Sequence, residues 1–346
     1  MPANRRRFLC VALGAGSSLS LCGGAWLWNR RTTGSDLTAT AVGGDLQITS
    51  RTSWALGSNV TITALDADRS RAEQGIAAAF AELELVEQVM SLYRPDSQLC
   101  RLNRTGSLDD PHEFLVQVLH TSLDLSERTE GAFDVTVQPL WELYSHASKS
   151  QRLPSSEEIE QARGRIDWRR IQLSPRRIEI AAGTQITLNG IAQGFAADRA
   201  VAALKSHGIE HALVNTGEIG TVGGRTSEEP WKVGIQHPRE PDAYHCLARL
   251  AGRSLATSGD YETRFSDDYS QHHIFDPHTG SSPPEFASVS IAAPSGMQAD
   301  ALSTAVFVLG LDRGLELIET LPGVDALLVR KDGRAKQTAG FPAEAS

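Results

Sequence analysis

A strongly apolar stretch from Met297 to Leu309 carries the carboxylate of Asp300 and, four residues later, the hydroxyl of Thr304. Its length and composition predict a helix, and on a helix such a pair shares one face, with side chains about 5 to 6 Å apart. One divalent cation with ligand distances of about 2.0 to 2.1 Å can take an oxygen from each. In isolation the pair is better explained by Asp300 capping the helix and Thr304 bonding back to a carbonyl. Shortly before it, Gln271 to Gly280 sets His272, His273, Asp276 and His278 on a turn. Hard oxygen ligands and a proton acceptor can thus converge, a combination suited to metal-assisted phosphoryl chemistry. Among these groups His273 is the candidate general base, because an imidazole titrates near neutrality. The other readings are a polar turn holding one core histidine, and an incidental zinc site, which lacks a nearby Cys and a helical ligand spacing.

The chain has 346 residues, 40% hydrophobic and 22% charged, as ordinary globular proteins do. Its net charge of -9, with no basic run beyond the first thirty-one positions, argues against nucleic acid as a partner. The N-terminus differs: Arg5-Arg6, then Phe8-Leu9 and an apolar run to Trp28, reads as a twin-arginine export signal over residues 1–31. Periplasmic location follows. Ala39 to Ala41 offers a small-x-small cleavage site. The apolar run also reaches the ~20 residues a membrane span needs, so an uncleaved anchor in the inner membrane stays open. Two of the four cysteines, Cys10 and Cys22, lie in this region; Cys100 and Cys246 remain, either paired in an oxidising compartment or as two buried thiols.

Residues 32–45, rich in Thr, Gly and Ala, read as a linker, so one domain is expected over 46–334 and a solvated tail over 335–346. Strands are predicted at Val60 to Ala64, Arg170 to Leu173, Arg177 to Ile180, His211 to Asn215, Trp231 to Gln236, Cys246 to Leu250, Ala287 to Ala292 and Asp325 to Arg330. Helices are predicted over Ser70 to Tyr93, after an Asp110-Pro111 start, and over Ile191 to His207. Segment 146–164 reads as a polar surface helix or loop. Strand groups separated by single helices indicate the α+β class, with mixed, largely antiparallel sheets packed with helices. Gly217, Gly220 and Gly223 are spaced as a dinucleotide fingerprint, but no helical pattern follows, so a hairpin is expected there.

Three further segments complete an ordered set: Met90 to Tyr93 with Ser97, Leu102 and Asn103; Gly131 to Leu140; and Leu188 to Gly194. With the two described first, they resemble the ApbE family of Mg-dependent FAD:protein FMN transferases, over about residues 45 to 330. The resemblance implies an ApbE-like, T-fold-related domain. It implies Mg2+ held by Asp300, Thr304 and the backbone carbonyl of Gly190, and FAD as substrate. It also implies flavin or adenine contacts from Tyr93, Ala132, Phe133, Asp134, Gln193 and Ile274. Ser258 begins a run of small and hydroxyl groups suited to a diphosphate, and equally explicable as a turn. Without the family, Phe133 reads as core, Asp134 as a cap and Gly190 as a close-packing residue.

The chain departs from the usual family pattern where Thr187 replaces an acidic residue, Asn189 a Gly or Ser, and Gln193 a Lys or Glu. Its form of the segment resembles an exported subset associated with nitrous oxide respiration, whose acceptor is a membrane-anchored flavoprotein. The expected activity is transfer of FMN from FAD to a Thr or Ser hydroxyl of an acceptor flavoprotein, with release of AMP. The departures keep two other functions in view: a non-catalytic FAD-binding or delivery protein, and an FAD diphosphatase.

Overall fold

The computed structural model describes residues 36–41 and 46–344. The export signal or anchor expected over 1–31 lies outside them. Among the described residues no helix is long and apolar enough to cross a membrane.

In chain order the elements are strands β1 (Asp36–Ala41), β2 (Gln47–Ala55) and β3 (Ser58–Asp66), helices α1 (Arg69–Met90) and α2 (Gln98–Thr105), then β4 (Ser107–Asp109). Helices α3 (Glu113–Arg128), α4 (Gln138–Lys149) and α5 (Ser156–Arg163) follow, then β5 (Ile171–Leu173), β6 (Arg177–Ile180) and α6 (Ala192–Ser206). The second half holds β7 (His211–Asn215), β8 (Ile219–Val222), β9 (Trp231–Gln236), β10 (Tyr244–Leu250), β11 (Ser254–Gly259) and β12 (Phe286–Ala293). It ends with α7 (Gly296–Leu309), α8 (Leu311–Glu319), β13 (Asp325–Arg330) and β14 (Ala335–Gln337).

Nine strands form one sheet in the order β1-β2-β3-β7-β8-β11-β12-β13-β14, with every pairing antiparallel. Side chains alternate across it, as the pleat requires. Val214 and Ile291 join the core under α1, α6 and α7, while Leu213 and Ala292 face the other side and are covered by the β9–β10 hairpin. The result is the expected α+β class with largely antiparallel sheets.

The expected boundaries needed three corrections. The segment expected as a linker, 32–45, contains the edge strand β1, paired with β2 from Asp36↔Thr52 to Ala41↔Gln47. The segment expected as a solvated tail contributes β14 and buries Phe341, while Ala343 bridges Ala248. Helix α3 starts at Glu113 with His112, not Asp110, as its N-cap; His112 Nδ1 accepts from the Phe114 amide. The polar segment 146–164 holds the end of α4 and all of α5, the latter begun by a Ser155/Glu158 capping box.

The start of α6 meets the start of α7 without side chains between them. A Cβ on Gly194 would lie 2.0 Å from the Gly296 carbonyl oxygen, and one on Gly296 would lie 2.5 Å from the Gly194 carbonyl oxygen. Backbone on both sides leaves nothing flexible to move aside. Gly194→Ala is therefore expected to cost about 2 kcal/mol or more of stability through overpacking, read as a lower urea midpoint. An unchanged midpoint would show that the two helices separate cheaply.

Candidate active site

Helix α7 is fixed at its N-terminus by two devices. Ser295 Oγ accepts from the Gln298 amide at 3.2 Å, and the Asp198 carboxylate, on α6, accepts from the Gly296 and Met297 amides at 2.6 and 2.9 Å. These donors are among the four that a helix leaves unpaired at its start. Burial pushes the Asp198 carboxyl up from its ordinary value, opposed by those two amides. Asp198 and Ser295 are thus the caps of this helix end, and Asp300 is not. Asp300, fully buried, accepts at Oδ2 from the Gly194 amide at 3.0 Å. One turn on, Thr304 Oγ1 lies 3.2 Å from Ser258 Oγ, which also bonds Ser303 Oγ at 2.7 Å. Ser258 therefore sits near the end of β11, not on a free turn.

The backbone of Gly190 packs against Thr304 so closely that a Cβ there would lie 3.0 Å from Thr304 Oγ1. The segment before it is held from two directions. Asn103 pairs through both side-chain atoms with the Ile186 backbone, at 2.7 and 2.8 Å, and the Thr187 amide donates to the Val135 carbonyl at 2.8 Å. Asn103, which belongs to the segment of Met90 to Tyr93 and Ser97, thus supports the Gly190 segment across the fold.

Gly190, Ser258 and Thr304 border a cleft of about 100 Å³ that opens to solvent. It brings together Ala132, Phe133, Asp134, Gly190, Ser258, His273, Ile274 and Thr304. Three of the expected site residues lie outside its lining: Asp300, one turn before Thr304 on α7, together with Tyr93 and Gln193. Tyr93 is 57% exposed in the turn after α1, and Gln193 donates to the Thr216 carbonyl at 3.2 Å. Asp134 borders the cleft, but its Oδ1 accepts from the Thr136 amide and hydroxyl, both at 2.7 Å, and Oδ2 from the Trp168 amide at 3.0 Å. Burial pushes its carboxyl up, and these bonds oppose that. Val135, Val137, Trp141, Thr187, Asn189 and Phe275 complete the wall. The apolar members carried no distinguishing sequence signal, since a valine or tryptophan near a helix start reads as core.

Three histidines of the turn occupy three environments. His272 has no exposed surface, and burial, aided by neighbouring His273, pulls it down to about 3. It is the core histidine. His273 is half-buried at the cleft, its amide donating to the Thr263 carbonyl at 2.9 Å. His278 lies outside, with Nδ1 3.1 Å from Asp276 Oδ1 and Nε2 3.0 Å from the Glu130 carbonyl. Among the described residues, no three His, Cys, Asp or Glu side chains converge as a metal cluster. Cys100 and Cys246 are both free and half-buried.

Comparison with known proteins identifies the family and the fold. The model of the ApbE family matches residues 56–328. The FAD:protein FMN transferase of Treponema pallidum is 34% identical over 284 residues, covering 76% of this chain and 78% of the relative. The crystal structure of the ApbE protein from Thermotoga maritima superposes with a TM-score of 0.77 at 30% identity, over 86% of this chain and all of that one. The flavinyl transferase ApbE of Pseudomonas stutzeri, in its apo form, gives 0.71 at 28% identity, over 84% and 95%.

The buried His272 carries a pH consequence. Between its ordinary 6.5 and about 3, the unfolded chain binds a proton that the folded chain does not, so stability falls as pH falls through this window. A single such group contributes up to about 1.4 kcal/mol per pH unit. Denaturation midpoints measured from pH 7 to pH 4 should fall less steeply for His272→Phe than for the unchanged protein. Equal slopes would place the acid sensitivity elsewhere.

Proposed function

The chain belongs to the ApbE family, and on that premise we propose that it is a Mg-dependent transferase. It moves the FMN part of FAD to a Thr or Ser hydroxyl of an acceptor flavoprotein and releases AMP. The carrying observation is that one cleft is bordered both by the oxygen groups of Gly190, Ser258 and Thr304 and by the imidazole His273.

The donor set suits a small hard cation. Asp300, Thr304 and the Gly190 carbonyl offer only oxygen, and a Cβ at position 190 would press on the Thr304 hydroxyl at 3.0 Å. These three residues would hold Mg2+, which when bound supplies positive charge against the diphosphate and the leaving phosphate. The Gly194 amide on Asp300 Oδ2 fixes that carboxylate. Phe133 and Ile274 give the cleft apolar surface for the flavin or adenine rings.

In the reaction His273 takes the proton of the acceptor hydroxyl as its oxygen bonds to the phosphorus on the flavin side. The bond from that phosphorus to the bridging oxygen breaks, and AMP departs with the oxygen. The product keeps FMN through a phosphoester. The barrier is lowered chiefly by positioning and by charge already in place. We place this reaction in the periplasm, reached by the twin-arginine signal of residues 1–31, with a membrane-anchored respiratory or electron-transfer protein as acceptor.

Mass spectrometry of a flavin-domain acceptor, after incubation with the protein, FAD and Mg2+, tests the proposal. The expected result is a gain of one FMN less one water. AMP and FMN appearing without any acceptor would make the protein an FAD diphosphatase, and FAD bound without turnover would make it a delivery protein. His273→Ala should lower the transfer rate about 10²- to 10⁴-fold, the usual range for a lost proton acceptor. Asp300→Ala should abolish turnover while calorimetry still detects FAD binding. Full turnover in Asp300→Ala would remove the metal assignment.

A further inference from the structure

We propose that Asp260 is a positioning residue for His273, acting with Arg239 and Lys331 as an ionic clamp on the loop that carries the base. The inference rests on the reading of His273 as the proton acceptor. The chain leaves the sheet after Gly259 and re-enters it at Phe286, and His273 lies within this excursion. Asp260 opens the excursion. It is fully buried, and its amide donates to the Ala287 carbonyl at 3.0 Å, which stitches it to the start of β12.

Two cations from outside the loop meet its carboxylate. Arg239, from the connection between β9 and β10, donates through Nη1 and Nη2 at 2.7 and 2.8 Å, one bond to each oxygen. Lys331, just past β13, brings its ammonium to 3.6 Å from Oδ2. The same two cations also hold the tip of the loop. Lys331 Nζ donates to the Tyr269 carbonyl at 2.6 Å, and the Arg239 guanidinium sits 4.1 Å over the Tyr269 ring, with Arg264 over the same ring at 5.1 Å. Tyr269 has φ +61°, a left-handed conformation that a bulky residue holds only when its surroundings impose it.

The link from clamp to base is short. The Phe265 amide donates to the Gln271 carbonyl at 2.7 Å, Arg264 bridges His272, and the His273 amide donates to Thr263. Thr263 is three residues from Asp260, a chain distance of at most ~11 Å. Outgoing arm, tip and returning arm thus form an irregular hairpin, pinned at its origin and its tip by one ionic group. A buried ion pair is weak evidence for stability, and its best-attested use is to select one conformation. Here the conformation selected is that of the arm bearing His273. Proton transfer needs heavy atoms within about 2.6 to 3.2 Å, and a displacement near 1 Å can cost about 10²-fold.

A double-mutant cycle tests this. Asp260→Asn and Arg239→Lys, which keeps the charge but loses the two-pronged geometry, should each lower kcat for transfer about 10- to 100-fold with little change in the KM for FAD. In a His273→Ala background neither should lower the residual rate further, because the positioned group is gone. Loss by the same factor in both backgrounds would make the clamp a general structural element and overturn the inference. So would an unchanged kcat in Arg239→Lys, the milder variant should Asp260→Asn fold poorly. If His273→Ala itself transfers at the full rate, the base assignment falls and the inference falls with it. If His273→Ala is impaired while both clamp variants match the unchanged protein, the inference alone fails.

Discussion

The site depends on the glycine-to-glycine contact between the first turns of α6 and α7. With no side chain between them, the Gly194 amide reaches Asp300 Oδ2, and Asp198, one turn along α6, reaches the first two amides of α7. A helix that is apolar nearly all round could rotate about its axis at little cost in burial, because each face is equally suited to the core. The Asp198 cap and the Gly194 bond remove that freedom. They set the rotation of α7 so that Thr304 meets Ser258 and Gly190 at the cleft while the apolar residues around it fill the core.

The long-range architecture was legible in the sequence where a regular period ran through it. Helix α6, strands β7, β9 and β13, and the β5–β6 hairpin lie where the residue pattern predicts them. The edge strand β14 was not legible, for a physical reason. An edge strand with exposed side chains, as in Ala335–Gln337, buries no face and so shows no alternation. Strand β11 was missed from the opposite side: all six residues are buried, so alternation is absent there too. The pair Asp300 and Thr304 was readable because helical spacing encodes it locally. Asp198 with Gly296, and Asp260 with Arg239, were not, since nothing local relates residues that meet only after the sheet has formed.

The histidine turn shows how little residue type decides without burial. Adjacent in sequence, His272 and His273 point to opposite sides of the chain, as neighbours in extended backbone do. One enters the core beside Phe307 and is held neutral by the absence of water, while the other borders the cleft. His278, further along, lies in solvent against Asp276. Spacing along the chain could nominate three imidazoles and could not rank them. Their ranking comes from which face of the arm β11 and β12 leave open.

Polar groups inside this protein are concentrated at the end of the sheet where α6 and α7 begin and β11 ends. Asp198, Glu218, Ser258, Asp260, Asp300 and Ser303 all belong to that region, and all but Asp198 are fully or almost fully buried. Each would be costly in an apolar setting without partners, and an all-apolar packing would fold as well or better by the area it buries. Asp300 and Asp198 accept from backbone amides at the starts of α6 and α7, Glu218 accepts from the Thr257 amide, and Asp260 pairs with Arg239 and Lys331, groups whose positions are fixed by the fold itself. A site assembled this way has its geometry settled when the sheet and the two helices close. Substrate then meets donors and acceptors that are already oriented, which is the condition under which electrostatic stabilisation costs no rearrangement during the reaction.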